Sequence, residues 1–165
     1  MNSPVPKCFQ LVGVPASGKT TWIKKQVWAL GCHVVSTDFW VELEASRLGK
    51  THSEIFAEYM PTAVKLMAAN VVAIREMGND IIWDQTSSTI ASRAKKFRML
   101  PDYEHIAVVF ETPDKAELSR RLQSRPGKIV PWEVIQDIID NFEYPTCEEG
   151  FKEIWRFDSK FREFF

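Results

Sequence analysis

Gly13-Val14-Pro15-Ala16-Ser17-Gly18-Lys19-Thr20 satisfies the pattern G-x-x-x-x-G-K-[ST] without a mismatch, and Thr21 follows it. Residues of these types at this spacing hold a chain of phosphates. Gly13 and Gly18 let backbone N–H groups turn inward and approach an anion closely. Lys19 brings a point charge to the β- and γ-phosphates, and the Thr20 hydroxyl is the ligand for Mg²⁺. A helix opening at Gly18 aims its N-terminal dipole at the same anion. The expected cofactors are ATP and Mg²⁺, held by Gly13, Pro15, Ala16, Ser17, Gly18, Lys19, Thr20 and Thr21.

A phosphate loop serves kinases, motors and switches alike. The chain is short for a motor domain and lacks an N-K-x-D base-reading signature, which leaves a small kinase. A kinase needs a base beside its acceptor hydroxyl. Asp38, at the end of an apolar run, has the right chemistry; the plainer role for it is to cap the helix that starts at Phe39. Arg121 and Arg125, four residues apart on one helix face, precede the break at Pro126-Gly127 and suit a lid that closes over the transferring phosphoryl group. Otherwise they are a solvated pair. Arg120 points elsewhere on that helix, toward where an adenine would lie. Asp84 either orients the acceptor or holds Mg²⁺ through water, unless it is a cap. The run Arg93-Ala94-Lys95-Lys96-Phe97-Arg98 suits a polyanionic acceptor or a solvated helix face. Phe39 and Trp40 are base-stacking candidates or core anchors.

These groups need a frame that gathers them. Short apolar runs at Cys8–Val12, His33–Ser36, Asp80–Trp83, His105–Phe110 and Glu153–Phe157 read as strands, and helical segments alternate with them. Continuous rather than alternating apolar strands imply a parallel sheet covered on both faces. Ligands of such sheets lie beyond the C-terminal strand ends. Lys19/Thr20, Asp38, Asp84 and Glu111/Thr112 all follow strand ends and are expected to line one crevice. Thr51-x-x-Glu54 is a capping box, Gly49 a helix C-cap, and Pro61 a kink or a helix restart.

The 165 residues suit one domain, with 21 Lys and Arg against 22 Asp and Glu. No basic field exists to hold a long nucleic acid nonspecifically, so a polynucleotide partner requires a local cleft. Three cysteines without metal-ligand spacing, no membrane-length apolar run and a polar N-terminus make the cytoplasm the expected compartment. Oligomeric state is not readable from the sequence.

With those positions in place, residues Phe9 to Phe142 resemble the kinase domain of polynucleotide 5′-hydroxyl kinases of phage and animal type. The resemblance rests on the loop Gly13 to Trp22, on Asp38 at the catalytic base, and on Asp84-Gln85-Thr86 with Ala91-Ser92-Arg93-Ala94. It is completed by Glu117-Leu118-Ser119-Arg120-Arg121 and Arg125-Pro126-Gly127-Lys128-Ile129-Val130-Pro131, similar to the lid and the helix beyond. It implies an adenylate-kinase-like α/β fold of the P-loop NTPase class with four to five parallel strands. It also implies transfer of the ATP γ-phosphate to a nucleic acid 5′-OH, with Asp84, Thr86 and Arg93 on the acceptor side. Phage members carry Arg immediately before the base and again three residues after it; Thr37 and Val41 stand there in this chain. The acceptor-phosphate contact then falls to Arg47, Lys50 or Arg93, or is missing. A small-molecule kinase acting on a nucleoside, sugar or antibiotic hydroxyl is the alternative, and a nucleotide-binding module without phosphotransfer a third. No D-x-D-x-[TV] motif of the often-fused phosphatase occurs.

Overall fold

The computed structural model describes residues 4–158 and the backbone of 163–164, without the side chains of 27–30. Strand β1 (Lys7–Val12) runs through the middle of the molecule and turns directly into the glycine loop, after which helix α1 (Lys19–Leu30) begins. Strand β2 (His33–Val35) leads to α2 (Thr37–Leu48), and α3 (His52–Met77) returns to β3 (Ile81–Trp83). Then come α4 (Ile90–Met99), β4 (Glu104–Phe110), α5 (Lys115–Gln123), α6 (Trp132–Asp140), β5 (Glu153–Phe157) and β6 (Glu163–Phe164). The sheet order is β2-β3-β1-β4-β5-β6; the first five strands are parallel and β6 pairs antiparallel with β5. This is the expected P-loop α/β architecture, extended by one reversed edge strand.

The pairing register follows from burial. Five of six residues of β1 and six of seven of β4 are buried, as strands covered on both faces require. Phe9, Leu11, Trp22, Ile106, Val108 and Phe110 fill one side of the sheet, while Cys8, Val35, Met67, Val71, Ile81 and Trp83 fill the other.

Helix ends bear out much of the local reading. Thr51 Oγ1 accepts from the Glu54 N–H at 3.3 Å, and Glu54 Oε2 accepts from the Thr51 N–H at 2.6 Å, closing the capping box. Gly49 ends α2 in the left-handed region. Pro61 neither restarts nor divides the helix: α3 is continuous for 26 residues. Pro61 and Ala57 are both exposed, so the Ala57 carbonyl that the ring leaves without its N–H partner is open to water. Val64 turns outward, leaving Ala63, Met67, Val71 and Ile74 as the buried stripe.

Helix α4 departs further from expectation. Arg93 is fully buried rather than turned toward an acceptor. Its Nε and Nη2 donate to the two carboxylate oxygens of Glu149 at 2.8 Å, and its Nη1 donates to the carbonyls of Ser87 and Glu143 at 2.9 Å. Lys96 is buried as well, 5.6 Å over the Trp83 ring, so two of the four basic residues in that run serve the interior. The guanidinium fork joins α4, the loop after β3 and the segment beyond α6. Arg93→Ala should destabilise the protein by about 3–5 kcal/mol, because it leaves a buried carboxylate unpaired. Urea denaturation would show this as a lower midpoint; a selective change in acceptor KM at unaltered stability would contradict it.

Candidate phosphotransfer site

The glycine loop is shaped by its own backbone and by its neighbours. A Cβ on Gly13 would lie 2.7 Å from Ser17 Oγ and 3.1 Å from both the Cβ and the carbonyl oxygen of Phe110, so only glycine fits. The Gly13 N–H donates to the Thr86 carbonyl at 3.0 Å, and the Ser17 N–H to the Val14 carbonyl at 3.2 Å. Ala16 takes φ +64° without being glycine, a costly conformation of the kind retained where a loop must present its N–H groups to one point. Ser17 Oγ is buried and has no hydrogen-bond partner among the described residues.

Lys19 Nζ donates to the Gly13 and Val14 carbonyls at 2.7 and 2.9 Å, which leaves one ammonium N–H to aim at an anion. Burial lowers its pKa to about 8, an effect that the Asp84 carboxylate partly offsets.

A cavity of about 690 Å³ opens above this loop, within the roughly 300–1,000 Å³ range of small-ligand sites. Pro15, Ala16, Gly18, Lys19, Thr20 and Thr21 form its floor. Asp84 and Thr86 come to it from the end of β3, and Asp38 from the first turn of α2. Arg121 and Arg125 reach it from the end of α5 and the turn beyond.

Asp38 is not the cap. Ser36 Oγ accepts from the Phe39 N–H at 3.4 Å in that role, which leaves the Asp38 carboxylate to the cavity. His52 Nε2–H donates to Asp38 Oδ1 at 3.2 Å, and the Lys128 ammonium pairs with Oδ2. Burial pushes the Asp38 carboxyl up, but Lys128 and His52 outweigh it and hold the group below the ordinary carboxylate range. Asp84 differs: burial raises its pKa, with Lys19 pulling the other way and Asp38 adding to the rise. Two carboxylates in one cavity are thus pushed apart by their surroundings.

Several expected groups are elsewhere. Gly13 lies beneath the cavity rather than on its wall. Arg120 is bound to Glu117 at 2.8 Å on the exposed side of α5, away from the cavity. Arg121 also bonds Glu117, at 2.6 Å, but reaches the Ala16 carbonyl at 3.3 Å. Glu111 does not join the crevice: it pairs with Arg156 at 2.6 Å and accepts from the Tyr144 hydroxyl. Phe39 and Trp40 pack edge to face and line none of the cavity. Val41 is wholly buried between α2 and α3, and Arg47 pairs with Glu44.

His52 and Lys128 were not singled out by sequence reasoning. Nothing in the spacing of His52, fourteen residues from Asp38, signals their contact. Lys128 carried one faint signal, its place just after the Pro126-Gly127 break.

A family model described as an AAA domain matches residues 9–145. No curated protein matches the chain at a significant level. Among solved structures, a chain from the PezAT chromosomal toxin–antitoxin system of Streptococcus pneumoniae superposes with TM-score 0.72 at 17% identity, covering 99% of this chain and 72% of that one. A chain of the Pnkp1/Rnl/Hen1 RNA repair complex gives 0.68 at 22%, covering 99% of this chain and 49% of that one. A gluconokinase from Sinorhizobium meliloti gives 0.55 at 16%, covering 95% and 85%. These identities establish the likeness of fold.

The lowered Lys19 pKa has a measurable consequence. A polyphosphate favours the charged ammonium, so binding takes up a proton once the free site begins to lose it. Nucleotide affinity should weaken as pH rises through about 8, by up to about tenfold per unit. Calorimetric titration across that range in buffers of different ionisation enthalpy would reveal the proton uptake; affinity constant to pH 9.5 would contradict it.

Proposed function

The chain belongs to the AAA-domain family, and from that premise we propose that it is an ATP-dependent phosphotransferase acting on a hydroxyl, with the 5′-OH end of a polynucleotide as acceptor. One observation carries the reading: the phosphate cradle, Asp38 and the two lid-side arginines Arg121 and Arg125 open onto a single cavity. A nucleotide-binding module alone needs the cradle but gives no purpose to a carboxylate and two guanidinium groups facing it.

The residues present fit ATP and Mg²⁺. Ser17 Oγ is an unpartnered buried donor in the cradle, and Lys19 keeps one free donor. Thr20 and, through water, Asp84 would hold the metal, which when bound supplies charge neutralisation between the β- and γ-phosphates.

In the transfer itself the acceptor oxygen forms a bond to the γ-phosphorus while the bond to the β-phosphate oxygen breaks, and ADP leaves. The hydroxyl proton passes to Asp38. Lys19 holds the phosphate chain in line, and Arg121 and Arg125 neutralise charge spreading over the transferring group. Asp84, which lines the same cavity as Lys19, is placed to orient the acceptor or a water.

Support for a polynucleotide acceptor comes from the order and spacing of the base, the Asp84-Gln85-Thr86 loop and the lid, and from the likeness in fold to a chain of an RNA repair complex. A small-molecule hydroxyl is the second reading. It is favoured by the burial of Thr37 and Val41, where phage kinases of the polynucleotide type carry arginines.

Asp38→Asn should lower phosphotransfer by about 10²–10⁴ while ATP still binds, since the amide keeps the shape but cannot take the proton. Because Ser36 supplies the cap, the N-terminus of α2 should be kept, and any loss of stability should come from the Lys128 ion pair. Transfer of γ-labelled phosphate to 5′-OH oligonucleotides, nucleosides and sugars reads both questions at once. Near wild-type labelling by the variant would refute the base; labelling of small hydroxyl compounds alone would refute the polynucleotide acceptor. Arg125→Ala should depress kcat with ATP affinity largely kept, and a change confined to KM would contradict its lid role.

A further inference from the structure

His52 opens α3, one residue after the cap Thr51, and reaches the base from outside the base's own helix. Its side chain is 9% exposed, and its ring packs on Phe56 one turn along, with centroids 5.2 Å apart. The turn that carries it is fixed on both sides. Thr51 and Glu54 close the capping box around it. The Ser53 N–H donates to the Gly127 carbonyl at 3.1 Å, and the Ile129 N–H donates to Ser53 Oγ at 2.8 Å, which docks the segment between α5 and α6 on the same turn. An imidazole held in this way has little rotamer freedom left to lose.

Asp38 is in the opposite condition. Its side chain is 44% exposed at the first turn of α2, so its own surroundings do not fix the direction of the carboxylate. Two donors from other elements do. His52 Nε2–H donates to Oδ1 at 3.2 Å, and the Lys128 ammonium pairs with Oδ2. Each carboxylate oxygen has two lone pairs, so one donor apiece sets the carboxylate plane and leaves a lone pair on each oxygen. The two donors are unequal. Lys128 ends a flexible stem and has Glu42 Oε1 at 3.8 Å as a second anion, whereas the imidazole is buried, planar and stacked.

From this geometry we infer that His52 is a positioning residue, which orients the Asp38 carboxylate so that a free lone pair meets the acceptor hydroxyl. The inference rests on Asp38 being the base. As the acceptor oxygen bonds to the γ-phosphorus and the bond to the β-phosphate oxygen breaks, the hydroxyl proton passes to that lone pair. His52 keeps its Nε2 proton throughout and makes no bond to the reacting atoms. Its contribution is direction: a misplacement of about 1 Å in a catalytic group can cost on the order of a hundredfold in rate. Other charges face Asp38 as well. Lys128 does so from the segment after α5, Glu42 through Lys128 from α2, and Lys19 and Asp84 across the cavity. All of them stay in place when His52 is replaced.

The test is phosphotransfer measured across pH, beside an NMR titration of the Asp38 carboxyl carbon. His52→Leu fills the space without the donor. It should lower kcat by about tenfold to a hundredfold, with KM for ATP and for the acceptor near wild type. The carboxylate is the working form, and a donor that favours it is lost, so Asp38 should protonate at higher pH and the acid limb of kcat should move up with it. His52→Gln places an amide N–H the same number of bonds from Cα as Nε2, and should restore most of the lost kcat and the wild-type titration. His52→Leu combined with Asp38→Asn should transfer no more slowly than Asp38→Asn alone, because the effect runs through that carboxylate. His52→Met repeats the measurement where the leucine variant gives no folded protein. A raised acceptor KM at unchanged kcat would overturn the inference and make His52 an acceptor contact. An unmoved Asp38 titration, or a glutamine variant no better than leucine, would overturn it too. So would a further loss in the double variant, which would give His52 a proton of its own to move. Wild-type protein that labels no hydroxyl compound is a distinct failure: it would refute the proposed function and the inference with it, even where the NMR titration reports the His52–Asp38 contact.

Discussion

One backbone hydrogen bond joins the two halves of the site: the Gly13 N–H on the Thr86 carbonyl, 3.0 Å long. It ties the glycine loop at the end of β1 to the loop at the end of β3, and β1 and β3 are neighbours in register. Asp84 comes to Lys19 through that bond and that pairing, without any side-chain contact between them being required. Gly13 cannot be larger because Phe110, at the end of the other neighbouring strand, closes the remaining side. The cradle is therefore a property of three adjacent parallel strands rather than of eight consecutive residues.

How much of this the sequence discloses depends on distance along the chain. The phosphate loop, the capping box at Thr51–Glu54, the Gly49 C-cap and the order of strands and helices all involve residues within a few positions of one another. Local pattern states them directly, and the structure agrees. At Pro61 the restart that the sequence left open does not occur. Its side of α3 faces solvent, and exposure of a position is decided by tertiary packing. Asp38 and Ser36 both precede a helix with cap-competent side chains; which of them caps depends on where the first turn starts, a boundary that propensity leaves open by a residue or two.

Long-range pairings were the illegible part. Arg93 stands amid other basic residues and looks like a solvated face or an anion site, yet its partner Glu149 lies 56 residues away. Glu111 follows a strand end as Asp84 does, but Arg156, 45 residues later, takes it. Lys128 and Asp38 are 90 residues apart. A charged residue's role is set by what the fold brings to it, and a near-zero net charge says nothing of how opposite charges are sorted inside.

The sheet ends in short strands on both sides: β2 offers three residues and β6 two, while the long strands β1 and β4 lie inside. Unpaired strand backbone is a template on which another chain can grow, and the hazard scales with the length and flatness of the exposed edge. A rim three residues long at one side and reversed in direction at the other gives an incoming strand little to add to. The apolar run His105–Phe110 is paired with β1 on one side and β5 on the other, and it becomes reachable from the β6 side when β5 detaches from it. Protection of that run from edge-to-edge pairing is thus tied to how firmly the last parallel strand stays seated.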